Sequence, residues 1–124
     1  MAKIMILDDN LEMLAMQAEH LRSDGHHVTL ATNGPAALAG IKTLGYDLLV
    51  TDIIMPDMDG IEVIMGLRTL QPPIKIIAIS GGGRINARNY LEMAVRLGAH
   101  GTLQKPFSGT ELCLAVDQAL QSPA

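Results

Sequence analysis

Asp8, Asp9, Asp52, Ser80 and Lys105 each stand just past a short apolar run: 3–7 for the aspartate pair, Leu48-Leu49-Val50 for Asp52, 74–79 for Ser80, and a run within 98–104 for Lys105. Three carboxylates brought together repel one another and raise one another's affinity for protons unless a cation neutralises them. Hard oxygen ligands of this kind suit Mg²⁺, which takes a few carboxylates together with waters and a phosphate oxygen. An ammonium and a hydroxyl facing such an ion are donors for a phosphoryl group. The set therefore suggests a metal-assisted phosphoryl site in which one carboxylate, Asp52, is the acceptor.

Each residue alone has a plainer reading. Asp8-Asp9 could serve the positive end of a helix, Asp52 and Ser80 could be helix caps, and Lys105 could be a solvated cation. Gly81, Gly82 and Gly83 are a weak phosphate cradle, since no Lys-Ser or Lys-Thr follows them. The recurrence of such residues at successive strand ends outweighs the separate readings.

The elements that must position these groups are legible from spacing. Leu48-Leu49-Val50 is too short for a helix and has no polar alternation, which fits a strand covered on both faces of a parallel sheet. Asp52 would sit at its carboxyl end, where open α/β sheets bind ligands. Residues 10–24 carry Leu11, Leu14, Ala15, Ala18 and Leu21 at helical spacing, with Gly25 as the stop. Residues 27–31 alternate and predict an edge strand. Asn33-Gly34-Pro35 is a cap and first-turn proline for a helix marked by Leu38, Ile41 and Leu44 and closed by Gly45. Asp59 with Glu62 predicts a capping box for a third helix over 60–70, stopped by Pro72-Pro73. A fourth helix is expected over roughly 85–97. Ser108 with Glu111 caps a last one to 121, with Leu112, Ala115, Val116, Ala119 and Leu120 as its buried stripe. Strands alternating with helices five times give an α/β chain of (βα)5 type, and right-handed crossovers put all strand ends on one rim.

The 124 residues fit a single domain, so an effector is expected to be another molecule. Nine Lys and Arg against thirteen Asp and Glu, with no dense basic stretch, disfavour direct binding to nucleic acid or to an anionic membrane. No apolar run approaches the ~20 residues that span a bilayer, and the first residues lack a signal-peptide layout. With one cysteine, Cys113, a cytoplasmic location is expected, and Cys113 reads as packing rather than a nucleophile. His20, His26, His27 and His100 share no metal-ligand spacing and are given no chemistry.

On these residues the chain resembles the receiver domain of two-component response regulators, in particular the stand-alone chemotaxis type. The resemblance covers essentially all of 1–124. Its motifs are Asp8-Asp9, then Asp52 followed by Met55-Pro56, Met58-Asp59-Gly60, then Ser80, and Lys105-Pro106-Phe107. It implies a doubly wound, flavodoxin-like sheet of order 2-1-3-4-5, an order carried over from the chemotaxis member of the family. By resemblance, Asp52 takes a phosphoryl group from a sensor histidine kinase, a phosphotransfer protein or a small phosphodonor. Asp8, Asp9, Asp52 and the Ile54 carbonyl would hold Mg²⁺ or Mn²⁺. Lys105 would pair with phosphoryl oxygens, and Ser80 would move toward them. The Lys105-Pro106 peptide is commonly cis in the family. The implied protein catalyses only its own phosphorylation and dephosphorylation. It would switch a surface near the fourth helix and last strand for a downstream protein, with a phosphorylation-dependent dimer as one further state.

The chain departs from the pattern in three places. Thr102 occupies the position of the family's usual aromatic switch residue. The loop that continues from Gly81 into residues 82–86 is longer and richer in glycine, which predicts a mobile segment. Ile54 replaces a residue that is often polar. On the fourth helix, Tyr90, Met93 and Leu97 widen the apolar arc of Ala87, Leu91, Ala94 and Gly98, while Arg84, Arg88, Glu92 and Arg96 take the other side. A docking surface and a broad core both fit that pattern. Two rival functions are a phosphorylation-independent docking module and an aspartyl-phosphate phosphohydrolase. The latter class needs an acid/base aspartate where Ile54 stands.

Overall fold

The computed structural model describes residues 1–53, 60–70, 73–81 and 87–123, with the backbone alone at 87, 88, 90 and 91. In chain order the elements are β1 (Lys3–Leu7), α1 (Leu11–Ser23), β2 (His27–Ala31), α2 (Gly34–Leu44), β3 (Leu48–Asp52), α3 (Gly60–Leu67), β4 (Lys75–Ser80), α4 (Ala87–Arg96), β5 (Gly101–Gln104) and α5 (Gly109–Gln121). All five strands are parallel, in the order β2-β1-β3-β4-β5, so β2 lies at an edge and β3 at the centre.

Strand alternation divides the core into two layers. Met5, Leu7, Leu49, Ile76 and Ala78 pack with Ala37 and Ile41 of α2, Val63, Ile64 and Leu67 of α3, and Ala94 of α4. Ile4, Ile6, Leu48, Val50, Ile77 and Ile79 pack instead with Leu14, Ala18 and Leu21 of α1 and with Leu112, Val116 and Ala119 of α5. Both faces of β3 are therefore covered, which is why its run carries no polar alternation.

Helix ends follow the caps and stops read from the sequence at Asn33, Ser108, Gly25 and Gly45, and α1 has a further cap, Asn10, that was not read there. Asn10 Oδ1 accepts the N–H groups of Glu12 and Met13, and Asn33 Oδ1 accepts that of Ala36. Ser108 and Glu111 form a reciprocal capping box. Gly25 and Gly45 follow α1 and α2 at φ +93° and +74°, a region that favours glycine. Asp59 of the expected third capping box lies outside the described residues, as do the Ile54 carbonyl and the glycine-rich loop at 82–86. The side chains of Arg88, Tyr90 and Leu91 lie outside them as well.

Three expectations differ from what is found. The inner stripe of α1 is Leu14, Gln17, Ala18 and Leu21, while Leu11 is 71% exposed and Ala15 is also exposed. Leu11 begins the helix directly after its cap, so its side chain projects at the sheet's end rather than over it. Leu44 at the end of α2 is likewise exposed, for the same reason at the opposite end. The helix α3 stops at Leu67 rather than near 70. No described helix is long and apolar enough to cross a membrane.

Candidate functional site

The carboxyl ends of β1, β3, β4 and β5 bring four of the five sequence candidates to one small volume, with Ser80 beside it in the ladder. Asp8 directly follows β1, and its N–H donates to Ala31 O of the neighbouring strand (3.2 Å). Asp52 is the last residue of β3 and pairs in register with Ile79. Ser80 ends β4 opposite Gln104, and Lys105 N–H donates to Ser80 O at 2.8 Å, which extends the β4–β5 ladder one residue into the rim. The Lys105–Pro106 peptide is cis.

From that backbone frame the lysine ammonium reaches 3.1 Å from Asp52 Oδ2 and 3.5 Å from Asp8 Oδ2. Carboxylate oxygens of Asp8, Asp9 and Asp52 all lie within 4.8 Å of one another. Asp8 and Asp52 are buried and Asp9 is exposed, so the cluster is an open-mouthed acidic pocket rather than an enclosed cage. Burial is the main reason that Asp8 holds its proton more tightly than an ordinary carboxyl group. The charges of Asp52 and Asp9 act in the same direction, and the Asn10 N–H and Lys105 oppose them.

One Asp8 oxygen is hydrogen-bonded and the other has only the Lys105 ammonium nearby, at 3.5 Å. Oδ1 accepts the Asn10 N–H at 2.9 Å, whereas Oδ2 is buried without a hydrogen bond. A buried acceptor on a carboxylate that clusters with two others is a fit for a hard divalent cation, which would satisfy it and remove the mutual repulsion. Ser80 Oγ is a second buried atom without a hydrogen-bond partner among the described residues. Thr102 lies in β5 opposite Ala78, two residues back from the rim, and is half-buried.

Two supports were not visible in the residue types alone. Asn10 is both the cap of α1 and the amide that orients Asp8. Gly60, at the start of α3, sits against the end of β3, where an added Cβ would run into Asp52 O and Ile53 Cα. Its N–H donates to Ile53 O at 2.6 Å. The turn before α3 pointed to a glycine there, but not to its contact with the backbone of Asp52.

Asp24, His26 and Asp117 form a second group of potential ligand atoms within 4.8 Å. His26 Nδ1 accepts the Ala2 N–H at 3.0 Å, so the neutral ring carries its proton on Nε2. That nitrogen has no lone pair for a metal, and the group is not a cation site.

A family model described as the response regulator receiver domain matches residues 4–117. The chain belongs to that family. The receiver is 36% identical over 81 residues to the response regulator receiver protein CpdR of Brucella abortus, covering 65% of this chain and 68% of that protein. It is 31% identical over 117 residues to the transcriptional regulatory protein ZraR of Klebsiella oxytoca, covering 94% of this chain and 26% of ZraR. The chain thus spans about a quarter of the length of such regulators. Among solved structures, the receiver domain of NtrX from Brucella abortus superimposes with a TM-score of 0.88 at 28% identity, covering 97% of this chain and 99% of that one.

Proposed function

We propose that this receiver is a Mg²⁺-dependent phosphorylation switch with Asp52 as the phosphoacceptor. The observation that carries the reading is the convergence of a strand-end aspartate, two further carboxylates and a lysine ammonium at the carboxyl ends of β1, β3 and β5. An Asp52 oxygen attacks the phosphorus of a phosphohistidine. The P–N bond breaks, and the imidazole leaves with the electron pair and takes up a proton. Lys105, already 3.1 Å from Asp52, balances charge on the transferred group. Asp8, Asp9 and Asp52 would hold Mg²⁺ or Mn²⁺, which supplies charge neutralisation for the carboxylates and the phosphoryl oxygens. Water later hydrolyses the acyl phosphate, so the protein acts only on itself.

The phosphoryl group adds roughly two negative charges and new acceptor oxygens. The Ser80 hydroxyl, buried without a partner among the described residues and one position past the residue that pairs with Asp52, would be a donor to one of them. Its movement would bias β4, β5 and α4, where Met93 and Val95 are exposed apolar side chains that a downstream protein would cover. Thr102, opposite Ala78 in β5, offers no swinging aromatic ring to that movement. The phosphodonors are a sensor histidine kinase or a phosphotransfer protein.

The test is the intact mass of the protein after incubation with Mg²⁺ and acetyl phosphate. A gain of one phosphoryl group, absent with Asp52→Ala and with chelator, is expected. No gain under any condition, including with phosphorylated kinases, would leave a docking module that works without phosphorylation.

A further inference from the structure

At the edge of the sheet opposite the carboxylate rim, Arg68, Arg96 and His100 line a cavity of about 280 Å³ between the ends of α3 and α4 and the starts of β4 and β5. Its apolar wall includes Ile74, Ile76 and Leu97, and among the described lining residues there is no carboxylate. The chain as a whole carries a net charge of −4, so two arginines at one cavity run against the overall balance.

A plainer role for both arginines is to complement the negative ends of α3, which Arg68 follows, and α4, which Arg96 ends. Several of the carbonyls there are already served by backbone. Leu97, Gly98 and Ala99 donate to Met93, Val95 and Ala94, while Arg68 N–H and Leu70 N–H serve Met65 and Leu67. Among the described residues, neither guanidinium makes a hydrogen bond or ion pair. Their donors remain available to a ligand.

His100 adds a donor whose orientation is fixed. Its N–H donates to Ile76 O at 2.7 Å, and its Nδ1 accepts the Ile76 N–H at 3.1 Å. The neutral ring must then carry its proton on Nε2. Burial, reinforced by the charge of Lys75, lowers the affinity of this imidazole for a second proton. It therefore presents one directed N–H at neutral pH.

We propose that this cavity binds a small organic anion, a phosphate- or carboxylate-bearing molecule whose charged group lies between Arg68 and Arg96 and accepts His100 Nε2–H. The ligand's apolar part rests on Ile74, Ile76 and Leu97. Guanidinium forks match the two oxygens of either anion, and the apolar wall selects against a bare inorganic ion. The site does not rest on phosphorylation of Asp52.

The experiment is amide NMR of the whole chain with chelator present, so that no divalent cation draws phosphate to the aspartates. Inorganic phosphate, phenyl phosphate and benzoate are titrated separately. Saturable shifts centred on Ile76, Gly98 and His100 are expected, with the aromatic anions binding more tightly than inorganic phosphate. The preference between phenyl phosphate and benzoate identifies the head group. In Arg68→Gln/Arg96→Gln, binding should weaken by at least about tenfold. Both arginines are exposed, so the melting temperature should hold. An absence of saturable shifts, shifts confined to amides flanking Asp52, or affinity unchanged in the double variant would overturn the proposal.

Discussion

Lys105 Nζ stands 3.1 Å from Asp52 Oδ2 and 3.5 Å from Asp8 Oδ2, and so bridges two buried carboxylates that arrive on different strands. One ammonium cannot neutralise the three acidic groups of the pocket, and Asp8 Oδ2 remains without a hydrogen bond. The unloaded pocket is thus held at an energetic cost that a cation would relieve.

Asp8→Asn should therefore raise stability at pH 7 in the absence of divalent ions, by about 1 kcal/mol. The folded-state pKa of Asp8 lies above the ordinary 3.8. The folded protein then binds this proton more tightly than the unfolded chain does. The penalty is present at neutral pH and disappears as pH falls through the folded value toward 3.8. Urea denaturation of both proteins from pH 7 to pH 3.5 should show the gap closing. Mg²⁺ at about ten times its dissociation constant should stabilise the wild type by ~1.4 kcal/mol and the variant by less. A variant less stable at pH 7 without metal would sink this account.

Ser80 presents the opposite balance between resting stability and switching. Its hydroxyl is fully buried with no hydrogen-bond partner among the described residues, so Ser80→Ala should leave the unphosphorylated protein as stable or raise it by about 0.5–1 kcal/mol. The same change removes the donor offered to the phosphoryl group. Intact mass should show that Asp52 is still modified, while amide shifts in β5 and α4 on phosphorylation shrink. Full-size shifts in the variant would assign the switch to another residue.

Legibility in the sequence followed the physics of each feature. Strand ends were readable because an apolar run buried on both faces stops abruptly at a charged or hydroxyl residue, as at Asp52 and Ser80. The caps Asn33 and Ser108 were readable because capping is local. Gly60 and Asn10 were seen as turn and helix-start residues only, because their contacts with Ile53 and Asp8 depend on where α3 and α1 dock. The cavity at Arg68, Arg96 and His100 was hidden for the same reason: the arginines lie 28 positions apart and meet only through the packing of α3 and α4.

Gly60→Ala tests the docking of α3 directly. An added methyl group meets backbone atoms of Asp52 and Ile53 that cannot rotate away. The start of α3 or the end of β3 must shift, with an expected loss of about 3 kcal/mol in urea denaturation. Because the displaced atoms include the backbone of Asp52, the proposed acceptor, phosphorylation by acetyl phosphate should also slow. A loss below about 1 kcal/mol would mean that the contact relaxes cheaply.

Gln17 tests whether the inner face of α1 has been read correctly. Its amide is fully buried, and neither Nε2 nor Oε1 has a hydrogen-bond partner among the described residues. The neighbours on that stripe, Leu14, Ala18 and Leu21, pack with α5 and the sheet. Leaving both a donor and an acceptor unmade in such surroundings costs more than the amide can recover by packing. Gln17→Leu keeps a similar volume and removes both polar atoms, so it should raise stability by about 1–2 kcal/mol with no effect on phosphorylation of Asp52. Denaturation midpoints and intact mass measure the two effects separately. A destabilised Gln17→Leu protein would show that the amide has a partner, such as an ordered water, and that this face of α1 is built around a polar contact.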